Sequence, residues 1–449
     1  MDAVNVVGAG LAGSECALSL AARNIPVRLF EQRPHHSTPA HHTGALAELV
    51  CSNSLKSTRE DSAPGTLKAE LDLMGSRLLP IARSCAVDAG GALAVDRQRF
   101  SEAVTAAVEA EPLIELVREE VRSIPSGTCV ICAGPLCSDA LAGEVATLVG
   151  RSSLAFFDAA APIVEASSID RTIVFEQSRY DETGTGDYLN CPFTKDEWEA
   201  FWSELVAAER VISRDFETKD LFQACQPAEE VARKGIDALR FGACKPVGIT
   251  DPRTGRRPWA VVQLRAENAA RTAYNLVGFQ TNLTWGEQRR VFSMIPGLAH
   301  AEFSRLGVMH RNTFIDSPHA LDGCFRAPGT PIFFAGQICG TEGYVEAIAS
   351  GALAAANVAA MLRGYEPAHL PETTVFGALV AYATSPETQG YQPMHVNFGL
   401  MPPLVPPVRN KRDRMGAYAR RSRADLAAYL AARPELFADA SGAPLGTLA

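Results

Sequence analysis

Gly8-Ala9-Gly10-Leu11-Ala12-Gly13 has the spacing of a phosphate cradle. The first glycine permits a tight turn after a strand, the second lets backbone approach a pyrophosphate, and the third lets the next helix pack closely on the sheet. The helix N-terminus then faces the phosphate charge. Glu31, at the end of the following strand, is placed to accept hydrogen bonds from a ribose. These residues alone leave NAD and FAD both open. What favours FAD is a second glycine-rich helix start far along the chain, Ala335-Gly336-Gln337-Ile338-Cys339-Gly340-Thr341-Glu342-Gly343-Tyr344. Two such starts on one sheet can serve the two ends of a long cofactor, and the second can aim its positive end at a flavin ring and stabilise the anionic reduced form. The candidate cofactor contacts are Gly8 to Gly13 (with Ala9, Gly10, Leu11 and Ala12), Glu31, Gly336, Gln337, Gly340, Thr341, Gly343 and Tyr344.

The elements that must position these residues follow from periodicity. Val4 to Val7 is a short β-branched run ending at Gly8, a helical stretch runs from about Leu11 to Arg23, and Val27 to Phe30 closes a β-α-β unit. Thr128 to Ala133 reads as a buried strand stopped by Gly134-Pro135. Trp259 to Leu264 and Tyr274 to Phe279 read as strands of a sheet with one covered face. Ile332 to Gly336 is a fully buried strand, and a helix rich in small residues runs from about Tyr344 to Met361. The expected fold class is α/β, a Rossmann-like FAD-binding domain with an inserted α+β substrate domain. The expected division is 1–148 for the first part of the FAD-binding domain, 149–324 for the inserted substrate domain, and 325–400 for the second part. A proline-rich and then basic segment occupies 401–449.

Several separated segments together resemble the flavoprotein folate-dependent tRNA uracil-5 methyltransferases (TrmFO). They are Gly8 to Gly13, Thr38-Pro-Ala-His-His-Thr43, Ala47-Glu-Leu-Val-Cys-Ser-Asn-Ser-Leu55, Gly90-Gly-Ala-Leu-Ala-Val-Asp-Arg97, Tyr188-Leu-Asn-Cys-Pro192, Lys245-Pro-Val-Gly248, Val262-Gln-Leu-Arg265, Val277-Gly-Phe-Gln-Thr281, Gly307-Val-Met-His-Arg-Asn-Thr-Phe314 and Gly340 to Ala347. The related wobble-uridine-modifying GidA family shares the two glycine segments but is longer and lacks the Cys-Ser-Asn-Ser context. The resemblance implies a GidA-like fold, FAD, methylenetetrahydrofolate as carbon donor, NAD(P)H as reductant, and the T-loop uridine (position 54) of tRNA as target. Ribosomal RNA, wobble-uridine modification and general FAD oxidoreduction stay as alternatives, with a non-catalytic flavin scaffold as a third reading.

The implied reaction needs a nucleophile to add at C6 of uracil, so that C5 can attack a one-carbon electrophile, and a base to remove the C5 proton. In the family two cysteines fill these roles, and their motif positions are Cys225 in Phe222-Gln-Ala-Cys-Gln-Pro227 and Cys51 in Val50-Cys-Ser-Asn-Ser54. Cys225 is the expected nucleophile and Cys51 the base or partner thiol. A free thiol ionises near pH ~8.5, so either cysteine needs cationic neighbours, for which Lys245, Arg265 and Arg311 are candidates. Cys244 and Ala228 stand where the family pattern has methionine and valine, which touches local geometry beside the nucleophile. The target base must leave its stack to meet flavin and thiol.

Cys129 and Cys132 are three apart on an expected strand and so face opposite sides, which suits neither zinc nor a disulfide. They read as small buried groups, as do Cys16, Cys85, Cys137 and Cys324. Cys191, Cys244 and Cys339 sit inside functional segments. His35, His36, His41 and His42 read as loop residues without a matching metal cluster, His41 and His42 at the site's mouth, and His310 as a candidate folate or nucleotide contact.

The chain has 449 residues, 47% hydrophobic and 21% charged, with a net charge of −9 and eleven cysteines in no regular framework. Reduced thiols, the lack of a signal-peptide pattern and the lack of a long apolar run place it in the cytoplasm, with no membrane contact. An acidic chain that binds RNA needs a local basic patch. The dense run Arg409, Lys411, Arg412, Arg414, Arg420, Arg421 and Arg423, with Tyr418 among them, is the candidate, against a solvated helix face.

Overall fold

The β-branched run Val4–Val7 forms a strand buried along its whole length, as a central parallel strand must be. In the computed structural model it lies between Val27–Phe30 and Cys129–Ile131, all parallel, and the order of the sheet is Ile332–Phe334, Cys129–Ile131, Val4–Val7, Val27–Phe30, Ile114–Val117. The structure describes all residues except 1, 39, 151–153, 160, 180–185, 212–225, 308, 389–390, 439–442, 444 and 446–449, and only the backbone of 154–159 and 309–313.

The chain leaves this sheet after Ile131 and returns at Ile332, two neighbouring strands about two hundred residues apart in sequence. In between it builds an antiparallel six-stranded sheet, with Ala260–Ala266 and Ala273–Leu276 at its centre. Its core is separate: Trp198, Phe201, Phe279 and Phe292 pack with Val262 and Leu264. This sheet was expected to have one covered face, but Ala260–Ala266 is buried at every position. Ala260, Val262, Leu264 and Ala266 join the aromatic core, whereas Gln263 donates to Asn190 of the neighbouring strand and Arg265 to Asn53 of the first half of the molecule.

Two helices lie together on the parallel sheet, Leu11–Ala21 and Tyr344–Arg363. Small side chains allow it: a Cβ on Gly351 would lie 2.2 Å from the Ala12 carbonyl oxygen, and one on Gly13 would lie 1.8 Å from that of Gly8. No apolar run of membrane length was expected. Tyr344–Arg363 is in fact long and apolar enough by composition to cross a membrane, yet 83% of the stretch is buried inside the fold, where the helix Leu11–Ala21 packs against it.

The last segment does not stand apart. Helix Lys411–Ala432 packs on Ala63–Met74, and Leu426, Leu430, Leu436 and Phe437 join the core of the parallel sheet. Buried Glu70 ties three helices there, accepting Val375 N–H (2.7 Å) and Phe376 N–H (3.0 Å) at one helix start and the Ser422 hydroxyl.

Candidate active site

The glycine turn behaves as its spacing requires. Gly8 has φ of 97°, and a Cβ there would strike Ala133 Cα at 2.6 Å. Over Gly10 nothing lies within 4 Å of a built Cβ, so the backbone there is open to a ligand. Gly10, as N-cap, makes no side-chain bond to the helix Leu11–Ala21, whose first N–H groups are left to face the cavity. Gly8, Gly10, Leu11 and Ala12 line that cavity. Ala9 is buried behind it, and Gly13 serves the close packing already described.

Glu31 also lines the cavity, but its carboxylate is engaged. Oε1 accepts Arg33 N–H (3.0 Å) and Nε–H (2.9 Å), and Oε2 accepts Arg33 Nη2–H (3.0 Å) and Ala9 N–H (3.3 Å). These fill the four acceptor positions of a carboxylate, so a ribose hydroxyl can be accepted only by displacing one of them. Burial pushes the Glu31 pKa up, the Arg33 guanidinium and N–H outweigh it, and the net direction is downward. Arg33 goes on to Glu48 at 3.1 Å, which in turn accepts His42 N–H (2.9 Å) and Thr43 N–H (3.1 Å). This chain of charges holds the loop that carries Cys51. The sequence reading missed Arg33, although it lies only two residues from Glu31.

At the other end, Gly336, Gln337, Gly343 and Tyr344 line the same cavity, while Gly340 and Thr341 lie behind it. Thr341 bonds Gly336 O at 2.8 Å, and a Cβ on Gly340 (φ 82°) would meet the Tyr391 hydroxyl at 1.8 Å. Beside them Lys56, in a left-handed conformation at φ 63°, pairs with the fully buried Glu346 at 2.8 Å. Lys56 and His395 both line the cavity, and neither was singled out from sequence. Burial, and then Lys56, push the His395 imidazole pKa down.

Cys51 is half-buried on the cavity wall. Two residues on, Asn53 donates to Val95 O (3.0 Å) and to Ala266 O of the second sheet (2.9 Å), and accepts Arg265 Nε–H at 2.8 Å. Arg97 pairs with Glu267 and donates to Leu49 O at 2.6 Å. The thiol therefore sits where the two halves of the molecule are stitched together. Arg265 fits the cationic neighbour expected for it, and Arg97 is a second one that the sequence reading missed. Lys245 is half-buried on the loop after Cys244, whereas the side chains of Arg311 and His310 fall outside the described residues. Cys225, the expected nucleophile, also lies outside the described residues.

The described cysteines are all free thiols. Burial pushes Cys129, Cys244, Cys324 and Cys339 up to about 12 and Cys137 up to about 11, and raises Cys16, Cys132 and Cys191 as well. Such thiols stay protonated and unreactive at neutral pH. Among the described residues no group of side chains could hold a metal. His41 lines the cavity, and its Nδ1 is 2.7 Å from the Thr38 hydroxyl.

Fold and site together define a dinucleotide-binding protein of the GidA class. The family described as glucose inhibited division protein A matches residues 3–366. The solved structure of Aquifex aeolicus GidA in its form I crystal is similar over 95% of this chain and 76% of that one, with a TM-score of 0.67 at 15% identity, which bears on the fold alone. More similar in sequence is the methylenetetrahydrofolate–tRNA-(uracil-5-)-methyltransferase TrmFO of Geobacter sulfurreducens, 54% identical over 96% of this chain and 99% of its own length. The enzyme of the same name from Moorella thermoacetica is 51% identical over 94% and 97%. Likeness of this degree over almost the whole length means that the chain belongs to the TrmFO family.

Proposed function

We propose that this protein is a folate- and FAD-dependent methyltransferase that converts uracil to 5-methyluridine in RNA, with the T-loop uridine (position 54) of tRNA as its target. The carbon donor is methylenetetrahydrofolate and the reductant NAD(P)H. The observation that carries the reading is a half-buried thiol, Cys51, on the wall of the cavity that also opens onto Gly10 and Gly343. The names and near-complete overlap of relatives about half identical to this chain support the substrates.

The open face over Gly10 and the uncapped helix start at Leu11 fit a pyrophosphate, and the helix start at Tyr344 fits the electron-rich end of a flavin. When bound, FAD would supply the electrons and the carbon-carrying chemistry of the transfer. The protein's own groups do the rest. Gly8 to Gly13 hold the cofactor, with Gly336, Gln337 and Gly343 at its far end. Cys225 adds to C6 of the extruded uracil, Cys51 takes the C5 proton as the C6–sulfur bond breaks and returns Cys225 as thiolate, and Arg97 and Arg265 supply the positive field that favours ionised sulfur. Exposed arginines of the C-terminal helix contact RNA phosphates. Free thiols agree with a cytoplasmic location.

The test is direct. Purified protein is mixed with unmodified tRNA, methylenetetrahydrofolate and reduced nicotinamide nucleotide, and the RNA is digested for mass spectrometry. The expected product is 5-methyluridine, abolished in Cys225→Ala and reduced at least ~100-fold in Cys51→Ala. No product on any cellular RNA would overturn the reading, and product on ribosomal RNA alone would reassign the target.

A further inference from the structure

Three groups converge on the hydroxyl of Tyr344. The backbone N–H groups of Cys51 (2.9 Å) and Ser52 (3.3 Å) both donate to it, since an amide N–H has no other option. The third is Cys51 Sγ, at 2.9 Å. A phenolic oxygen offers two lone pairs and one proton. With both lone pairs turned to N–H groups, the proton is left on the side of the sulfur, so the phenol donates and the sulfur accepts. A sulfur accepts far better as a thiolate than as a thiol, and a hydrogen bond to the charged form favours that form.

We propose that Tyr344 is a positioning residue that holds Cys51 as a thiolate by donating its hydroxyl proton to Sγ. Tyr344 was expected to touch the cofactor, and its ring does line the cavity, but its polar group is committed to the cysteine. The surrounding charges favour the same state. From the helix Arg97–Glu109, Arg97 acts on both Cys51 and Tyr344. From the second sheet, Arg265 acts on Cys51. Arg305 acts on Tyr344, with Glu48 and Glu267 near it. Glu267 is paired with Arg97 and Glu48 with Arg33, whereas Arg265 bonds the neutral amide of Asn53, so its charge is left to make the field at the thiol positive. Burial keeps the phenol protonated by raising its pKa well above the ordinary value. A thiolate is the form that can take up the uracil C5 proton. That use rests on the function proposed above, whereas the ionisation itself does not.

The experiment is alkylation of the purified flavoprotein with iodoacetamide across a range of pH, followed by mass spectrometry of the peptide that holds Cys51. Wild type is expected to react with a midpoint below the ~8.5 of a free thiol. In Tyr344→Phe, which keeps the ring, the midpoint is expected to rise by about one to two units, the size of one charge-assisted hydrogen bond. A purely structural role would lower thermal stability and leave the midpoint where it was. Equal midpoints in the two proteins would overturn the proposal. If the variant does not fold, wild type decides alone: a midpoint at or above that of a free thiol, or no reaction at any pH, overturns it. Because no RNA or folate is present, failure here is distinct from failure of methyl transfer.

Discussion

A Cβ at Gly343 would lie 2.3 Å from Glu346 Oε2 and 2.6 Å from Lys56 Nζ, on backbone with φ of 117°. Glycine is thus required twice, for the conformation and for the ion pair beneath it. Gly343→Ala is expected to lose about 1–3 kcal/mol in denaturant unfolding, because Lys56 must move and leave a buried carboxylate without its cation. Replacement of Gly364, also at positive φ but with open space around it, should cost less. The need for glycine at 343 was visible in the sequence as a helix start. Its collision partners were not, since Lys56 and Glu346 are 290 residues apart.

The basic helix Lys411–Ala432 divides its arginines between two tasks. Asn410 caps it, accepting Arg412 N–H at 2.9 Å and Asp413 N–H at 3.2 Å. Arg421 grips the carbonyls of Pro402 (2.6 Å) and Pro403 (3.2 Å) and lies over Tyr418, which stacks on Phe398. Arg414 holds Val408 O and Arg409 O in the same way. Arg409, Lys411, Arg412 and Arg420 remain exposed. Alanine at these four is expected to weaken RNA binding, with flavin retained. The dependence of log K on log salt should flatten by about 0.7–0.9 for each phosphate that is no longer neutralised. An unchanged salt slope in filter binding would make the helix ordinary surface. In the sequence the run is a single block of charge; helical geometry and the proline stretch beside it decide which residues reach solvent.

Across the whole molecule, the two hydrophobic cores meet through polar contacts at the candidate site. Asn53 bridges Val95 O and Ala266 O, and the buried pair Arg97–Glu267 lies beside it. Removing one partner of such a pair costs about 3–5 kcal/mol, because the other charge stays buried. Glu267→Ala is therefore expected to lower the thermal midpoint and to displace the Cys51 loop held by Arg97. Thermal unfolding and Cys51 alkylation would read the two effects separately. A stable variant with unaltered thiol reactivity would show that the pair does not position the loop. These contacts also explain the full burial of Ala260–Ala266: the side left open to solvent in the sequence reading is where the first half of the chain docks.

Local physics made the first β-α-β unit and both glycine-rich helix starts legible, since turn conformation and periodicity depend on neighbouring residues alone. The thiol motifs could be named through a resemblance to a family, and Cys51 does stand on the cavity wall. What Cys51 faces was decided only when Tyr344, 293 residues away, was brought against it by packing of the helix Tyr344–Arg363 on the parallel sheet. The same holds for Arg97 with Glu267, 170 residues apart. Sequence determined which backbone shapes and reactive groups were present. Tertiary structure decided which of them meet, because a contact between distant residues is set by how whole elements bury their faces and not by any local preference.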